Sequence, residues 1–269
     1  MKINRLLSIL KGIAKLKYFN AKSLFCSGIG LIVISFGAIA QEENNRHLSG
    51  TITATSNGVS IIPSFSLDRP AVYFDLSMGG ERLSFDPMLR FGMDGKPWTL
   101  IFWGRYKVIK DKRFSLTIGG HPAFLFTENE MIVNGAEEKA FVANRYVAGE
   151  VNTNFKFTDK FSLGLYYQRG MGVQVITAKN SDFLALNAGL ADFKLKRELL
   201  LQLSPQVFFL NLDGDSGYYA NTALTLKKTD FPFQLQTFFN QKIKSTIPGN
   251  DLVWNVSLIY KFENRYAKK

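Results

Sequence analysis

The chain has 269 residues and a formal net charge of +11, and its single cysteine is Cys26. Six of its cations lie among the first 22 residues, so the charge of the remaining chain is only about +5 (11 minus 6). The basic balance is therefore a weak argument for nucleic-acid binding. A disulfide framework or a cysteine metal site is excluded after that first segment.

Residues 1–40 have the pattern of an export signal. Their basic start contains no acid, and an apolar run of 16 residues follows from Leu24 to Ile39. Ala38-Ile39-Ala40 then fits the small-x-small cleavage pattern. The run is shorter than the ~20 residues of a spanning helix, and an uncleaved anchor is the alternative. We expect a cleaved signal peptide over 1–40 and an N-terminal extension over 41–50.

From about 51 to 262 the chain repeats runs of alternating apolar and polar residues separated by turns. Period-two alternation predicts strands with two unlike faces. We count about twelve strands, the first near 51–66 and the last near 251–262. The count falls to ten if the first run is only an extension and one further pair is miscounted.

The connections differ in length according to strand parity. Those after even-numbered strands are tight, for example Gly80-Glu81 and Thr158-Asp159. Those after odd-numbered strands are longer, with Thr127–Lys139 the longest. Membrane barrels show this asymmetry, with short turns at one end and longer loops at the other. Trp98, Tyr218 and Trp254 fall at the predicted loop ends, where outward aromatic residues form an interfacial girdle.

The last strand carries a resemblance to a known class of protein. In Leu252–Phe262 every even position is apolar or aromatic, and Asn255, Ser257 and Lys261 stand among the odd ones. This run resembles the terminal strand of bacterial outer-membrane proteins, which the barrel-assembly machinery recognises, although a tail over 263–269 follows it. The resemblance concerns architecture and singles out no functional family.

These patterns together predict an all-β protein, a single antiparallel transmembrane β-barrel over 51–262. The expected location is the outer membrane of a Gram-negative bacterium. The expected partners are outer-membrane lipids and, during biogenesis, the barrel-assembly machinery. We expect no nucleic acid, cofactor or metal ion, and the oligomeric state stays open.

If even positions of the last strand face lipid, the same parity assigns residues to the lumen of the other strands. The predicted lumen residues that carry charge or a phenol include Asp75, Arg82, Asp86, Arg90, Arg105, Lys107, Glu150, Lys156 and Tyr166. One interpretation is an internal network of salt bridges, since buried charges need partners. The other is a water-filled pathway whose cations favour anionic solutes.

Catalytic candidates are few. His121, in Gly119-Gly120-His121-Pro122, is a weak candidate for a general base, but its parity points it into the lumen. The leading hypothesis is a narrow channel for small, anionic solutes, or a structural barrel. The alternatives are a barrel enzyme that acts on lipid and a binding or adhesion protein that uses its loops.

Overall fold

The computed structural model describes residues 45–133, 136–196 and 198–267, which form a closed antiparallel barrel of twelve strands. The strands are β1 Asn45–Thr55, β2 Ala71–Gly79, β3 Leu83–Gly92, β4 Pro97–Lys110, β5 Phe114–Val133, β6 Ala136–Lys156, β7 Phe161–Gln174, β8 Asn180–Lys196, β9 Leu199–Leu212, β10 Asp215–Lys228, β11 Phe233–Ser245 and β12 Leu252–Ala267. Each strand pairs with its neighbour in sequence, and β1 pairs with β12 to close the barrel. The predicted fold class and strand count are confirmed.

The apolar side chains of the barrel face outward. On β12, Trp254 and Leu258 are 55% and 52% exposed, whereas Asn255 and Ser257 are 6% and 3% exposed. Large apolar side chains are exposed in the same way along most other strands, for example Leu165 on β7. A soluble barrel would bury this face, so the inverted arrangement is that of a barrel surrounded by lipid.

Aromatic rings cluster where the strands meet the short turns, which we call the turn end. Phe157 lies 4.8 Å from Phe155 and 5.2 Å from Phe161 between ring centroids. Phe233 and Tyr260 form a second such contact at 5.2 Å. Amphipathic and aromatic rings prefer the membrane interface, so this band marks one boundary of the lipid-facing surface.

The first strand differs from its prediction. We expected a strand near 51–66 and an extension over 41–50, but β1 spans Asn45–Thr55, and residues 56–70 are a connection with a 3-10 turn at Pro63–Phe65. The apolar residues of this connection had suggested a strand against lipid. They instead enter the lumen from the end opposite the short turns, which we call the loop end.

Two further segments predicted to be irregular are strand. The loop expected over 127–139 is mostly the far part of the β5–β6 hairpin, whose pairing continues to Val133 and Ala136. The tail expected from 263 belongs to β12 as far as Ala267, which pairs with Asn45. Both strands of the hairpin exceed the ~9–11 residues that cross a bilayer, so the hairpin projects beyond it.

The predicted signal peptide over 1–40 lies outside the described residues. Within the part of the chain that the structure describes, no helix is long and apolar enough to cross a membrane.

Candidate functional site in the barrel lumen

A charged cluster crosses one wall of the lumen and is centred on Arg105 of β4. Its Nε donates to Glu150 Oε1 on β6 at 2.6 Å, and its Nη1 donates to Asp86 Oδ2 on β3 at 3.0 Å. The Tyr166 hydroxyl on β7 donates to the other Glu150 oxygen at 2.8 Å. We call Asp86, Arg105, Glu150 and Tyr166 the arginine cluster. The structure thus brings four of the predicted lumen residues together.

Short polar side chains complete the shell around Asp86. The Ser77 hydroxyl on β2 donates to Asp86 Oδ1 at 2.6 Å, and the Ser84 hydroxyl donates to Oδ2 at 3.0 Å. The Glu150 side chain is only 1% exposed, and the Arg105 side chain is 28% exposed. A carboxylate that is so deeply buried must be paired, which explains why several strands supply partners here.

Arg90 of β3 lies nearer the loop end and has different surroundings. Its guanidinium carbon stands 4.9 Å from the Tyr73 ring centroid and 5.8 Å from that of Trp98. The Arg90 Nε is buried and has no hydrogen-bond partner among the described residues, and the same holds for Asp75 Oδ1 on β2. Arg90 is therefore held by aromatic faces, with donor capacity left over.

Trp98 was predicted to face lipid, and that prediction is wrong. Arg90 pairs with Thr99 whereas Phe91 pairs with Pro97, so β4 has one extra residue at Trp98. Such a bulge changes the parity of the strand and turns the side chain inward. Trp98 is 2% exposed, and its indole Nε1 donates to the Phe65 carbonyl at 2.9 Å.

We call residues 56–70 the strap, because this segment reaches the lumen and contacts several strands. Besides the Trp98 bond, the Phe65 ring lies 5.6 Å from the ring of Tyr146 on β6. Ile62 packs against a buried cluster on the opposite wall. That cluster consists of Phe183, Ala185, Phe208, Leu210, Leu212, Tyr219 and Ile247. The strap therefore narrows the lumen near its loop end.

A central cavity of about 380 Å³ lies between the strap, the arginine cluster and the apolar wall. Arg90 and Arg105 are the charged side chains that line it, among the residues that the structure describes. Most of the remaining lining is apolar or aromatic, including Phe65, Trp103 and Phe183. The cavity has the size and character of a small-molecule site.

Lysines line the lumen at the turn end. Predicted lumen residues Lys107 and Lys156 lie here, exposed, and not in the arginine cluster. Their pairing partners are Thr117 and Ser162. Tyr106 and Phe155, which precede the two lysines in the chain, are exposed toward lipid, so the lysines face inward.

Three more lysines share this position. By the same register they are Lys194 on β8, Lys227 on β10 and Lys261 on β12. Lys261 was predicted to face the lumen by the alternation of the last strand, whereas Lys194 and Lys227 were not predicted. We call these three with Lys107 and Lys156 the lysine ring. A signal was available, since each lysine stands close to the end of an even-numbered strand, but only the register shows that all five face one mouth.

Neither histidine of the described residues is placed to act as a catalytic base on a lipid substrate. His121 is 8% exposed, and its ring centroid lies 4.1 Å from that of Trp103, on the inner face and away from any lipid substrate. His47 Nε2 lies 3.1 Å from the Ser77 hydroxyl, but that hydroxyl donates its proton to Asp86. Such a serine is not activated by the histidine. No group of three or more metal-ligating side chains occurs among the described residues.

At the loop end, Asp213 in the turn between β9 and β10 holds a neighbouring connection. Its carboxylate accepts from the backbone N–H groups of Lys179 and Asn180 at 2.6 and 2.8 Å. The Lys179 bond is the main cause that lowers the pKa of Asp213 below its ordinary value. The charged form is therefore the one that fixes this edge of the mouth.

Comparison with known proteins finds similar barrels but no relative by sequence. No protein-family model matches the chain, and no curated protein matches it. The KdgM porin in complex with disordered oligogalacturonate is 10% identical over 80% of this chain and 99% of its own, with a TM-score of 0.49. An outer-membrane channel from Pseudomonas putida F1 is 12% identical over 82% and 94%, with a TM-score of 0.48. The NanC porin is 8% identical over 82% and 100%, with a TM-score of 0.47.

Identities and scores this low carry no inference about a shared solute. The closed twelve-stranded sheet, the apolar outer surface and the polar lumen stand on the chain's own residues. On these grounds the chain has the architecture of an outer-membrane β-barrel protein.

Proposed function

We propose that this protein is a narrow outer-membrane channel for small anionic solutes. The location is supported by the outward apolar surface, which requires lipid around the barrel. A closed barrel also leaves no sheet edge unpaired in that lipid. The pathway would run through the lumen past the arginine cluster and the strap.

The lysine ring is the observation that carries the proposal. Five ammonium groups face one mouth, and Glu263 is a carboxylate with the same inward register. Glu198 lies in the adjacent turn and pairs with Lys228 at 3.1 Å. A mouth of one sign raises the local concentration of ions of the opposite sign and their rate of entry.

The charges deeper in the lumen agree with this preference. The arginine cluster has one more carboxylate than it has guanidinium groups, but those carboxylates are bonded and Glu150 is buried. The charged groups that line the cavity itself are Arg90 and Arg105. A solute that follows the lumen thus passes cations both at the cavity and at the turn-end mouth, the arrangement expected of an anion pathway.

The test is ion selectivity in planar bilayers, measured as the reversal potential across a KCl gradient. The unchanged protein should favour chloride. Replacing the lysine ring by Gln at all five positions should move the reversal potential toward K⁺, and the shift should weaken as salt rises and screening grows. The control replaces Lys228 and Lys244 by Gln, because both face away from the lumen. Lys228 follows the inward Lys227 on β10, and Lys244 on β11 pairs with Tyr218, which is exposed on the outer surface.

Two results would contradict the proposal. Equal reversal potentials for the lysine-ring variant and the control would remove the ring from the conduction path. A barrel that inserts but never conducts would favour a structural role, which the packing of the strap and of the apolar wall on β8–β10 also suits.

A further inference from the structure

We propose that the central cavity is a binding site for an aromatic monocarboxylate, with the carboxylate on Arg90 and the ring among the aromatic walls. The inference rests on the proposed channel, since the ligand reaches the cavity along the lumen. It goes beyond that function by naming a site and a class of solute.

The size and walls of the cavity select a small apolar ring. A volume of about 380 Å³ falls near the lower end of the ~300–1,000 Å³ typical of small-molecule sites. Trp103, Tyr166 and Phe183 supply ring faces, and Ile62 and Phe65 of the strap cover the loop side. Aromatic rings stack favourably on such faces, and the apolar burial adds to the affinity.

The charges at the cavity select a carboxylate. Arg105 uses Nε and Nη1 for Glu150 and Asp86, so its strongest bonds are already made. Arg90 also lines the cavity, and its buried Nε has no hydrogen-bond partner among the described residues. A guanidinium with an unused donor can form a charge-assisted hydrogen bond to a carboxylate oxygen.

His121 supplies a second polar group to the cavity lining. It lines the cavity, is 8% exposed, and its Nδ1 has no hydrogen-bond partner among the described residues. Buried polar atoms of this kind cost stability unless a partner arrives, and a ligand oxygen would provide one. One guanidinium and one imidazole suit a ligand with one polar end.

A sugar acid of similar size fits less well. Each of its hydroxyl groups would lose water on entry and need a new hydrogen bond. Part of the polar lining is already used, because Gln206 bonds to Asn187 and to Asn221, and the Tyr166 hydroxyl bonds to Glu150. The apolar faces would also lie against hydroxyl groups, so the walls discriminate in favour of the aromatic acid.

The experiment is calorimetric titration of the full-length, detergent-solubilised barrel with phenylacetate, phenylacetamide and galacturonate. We expect phenylacetate to bind most tightly. Arg90→Gln should weaken phenylacetate roughly tenfold or more, since a charge-assisted pair is lost, and should change phenylacetamide by less than about twofold. The matched control is Arg69→Gln, an exposed arginine of the strap that pairs with Asp94 at 3.2 Å.

A cavity-filling variant tests the location independently. Ala148 lines the cavity from β6, so Ala148→Phe should abolish binding of both phenyl compounds. Folding of each variant is checked by the difference in gel migration between heated and unheated samples. If Ala148→Phe does not fold, the comparison of Arg90→Gln with Arg69→Gln still decides the question.

The outcomes separate this inference from the channel. Tighter binding of galacturonate than phenylacetate, or equal phenylacetate affinity for Arg90→Gln and the control, would overturn the site. Conductance without phenylacetate binding would overturn the site alone. Binding in a barrel that does not conduct would support the site and remove the channel.

Discussion

At the scale of single residues, Arg105 shows how buried charges in the lumen are compensated. Its guanidinium stands 4.4 Å from the Trp103 ring centroid and bonds two carboxylates. These bonds matter most for Glu150, because its side chain is only 1% exposed and its carboxylate is hydrogen-bonded by Arg105 and Tyr166. Removing one partner of a buried ion pair lowers the free energy of unfolding by more than the intact pair contributes to it, because the other charge stays buried without a partner.

We therefore expect Arg105→Leu to lower the free energy of unfolding by about 3 kcal/mol. The double variant Arg105→Leu/Glu150→Leu should recover at least half of that loss, because the most deeply buried carboxylate is then gone and Asp86 keeps its hydrogen bonds from Ser77 and Ser84. Urea unfolding in lipid vesicles measures both. Lys110→Gln breaks the exposed pair with Glu81 and should cost less than ~1 kcal/mol. Equal losses for the single and double variants would show that the ion pair is not the cause.

At the scale of elements, the strap is the connection that decides how open the lumen is. One indole hydrogen bond, the Phe65–Tyr146 contact and the packing of Ile62 hold it on three parts of the wall. A backbone bond from the Gly58 N–H to the Arg69 carbonyl, 2.8 Å, closes it at its base. Asn255 Nδ2 also donates to the Asn57 carbonyl at 3.0 Å, so the base of the strap is tied to the barrel and its far part depends on the three contacts above.

Trp98→Phe tests this control. The change removes the bond to the Phe65 carbonyl, which contributes about 1 kcal/mol, and keeps most of the aromatic surface. We expect faster chymotryptic cleavage after Phe65, in the part of the strap that Trp98 holds, and a larger single-channel conductance. Trp254→Phe is the control, because Trp254 is 55% exposed on the lipid face. Unchanged cleavage and conductance in Trp98→Phe would mean that the strap is fixed by its other contacts.

At the scale of the whole molecule, closure depends on the pairing of β1 with β12. Gly50 sits in this seam opposite Phe262, and also pairs with Leu76 on β2. A Cβ at Gly50 would lie 2.7 Å from the Asp75 carbonyl oxygen, which is backbone and cannot move away freely. Glycine is therefore required by space at the position where the sheet closes on itself.

Gly50→Ala should destabilise the barrel by roughly 1–3 kcal/mol, the usual cost of overpacking. Gly149→Ala is the matched control, since its added Cβ would have ordinary contacts, the nearest at 3.8 Å. The measurement is the temperature at which the fast-migrating folded form disappears from unheated gels. The seam would not be critical if both variants lost that form at the same temperature.

The strands, their two faces and the sorting of turns by parity were predictable from the sequence, because alternation and turn chemistry are local. Trp254 against lipid and Asn255 in the lumen follow from that pattern alone. The bulge that turns Trp98 inward and the entry of residues 56–70 into the lumen were decided only by the tertiary structure. So were the partners of Arg105 and the gathering of five lysines at one mouth, of which Lys107, Lys156 and Lys261 had been predicted to face the lumen. All of these depend on which residues of distant strands stand at the same height, and register between strands is set by packing across the closed sheet.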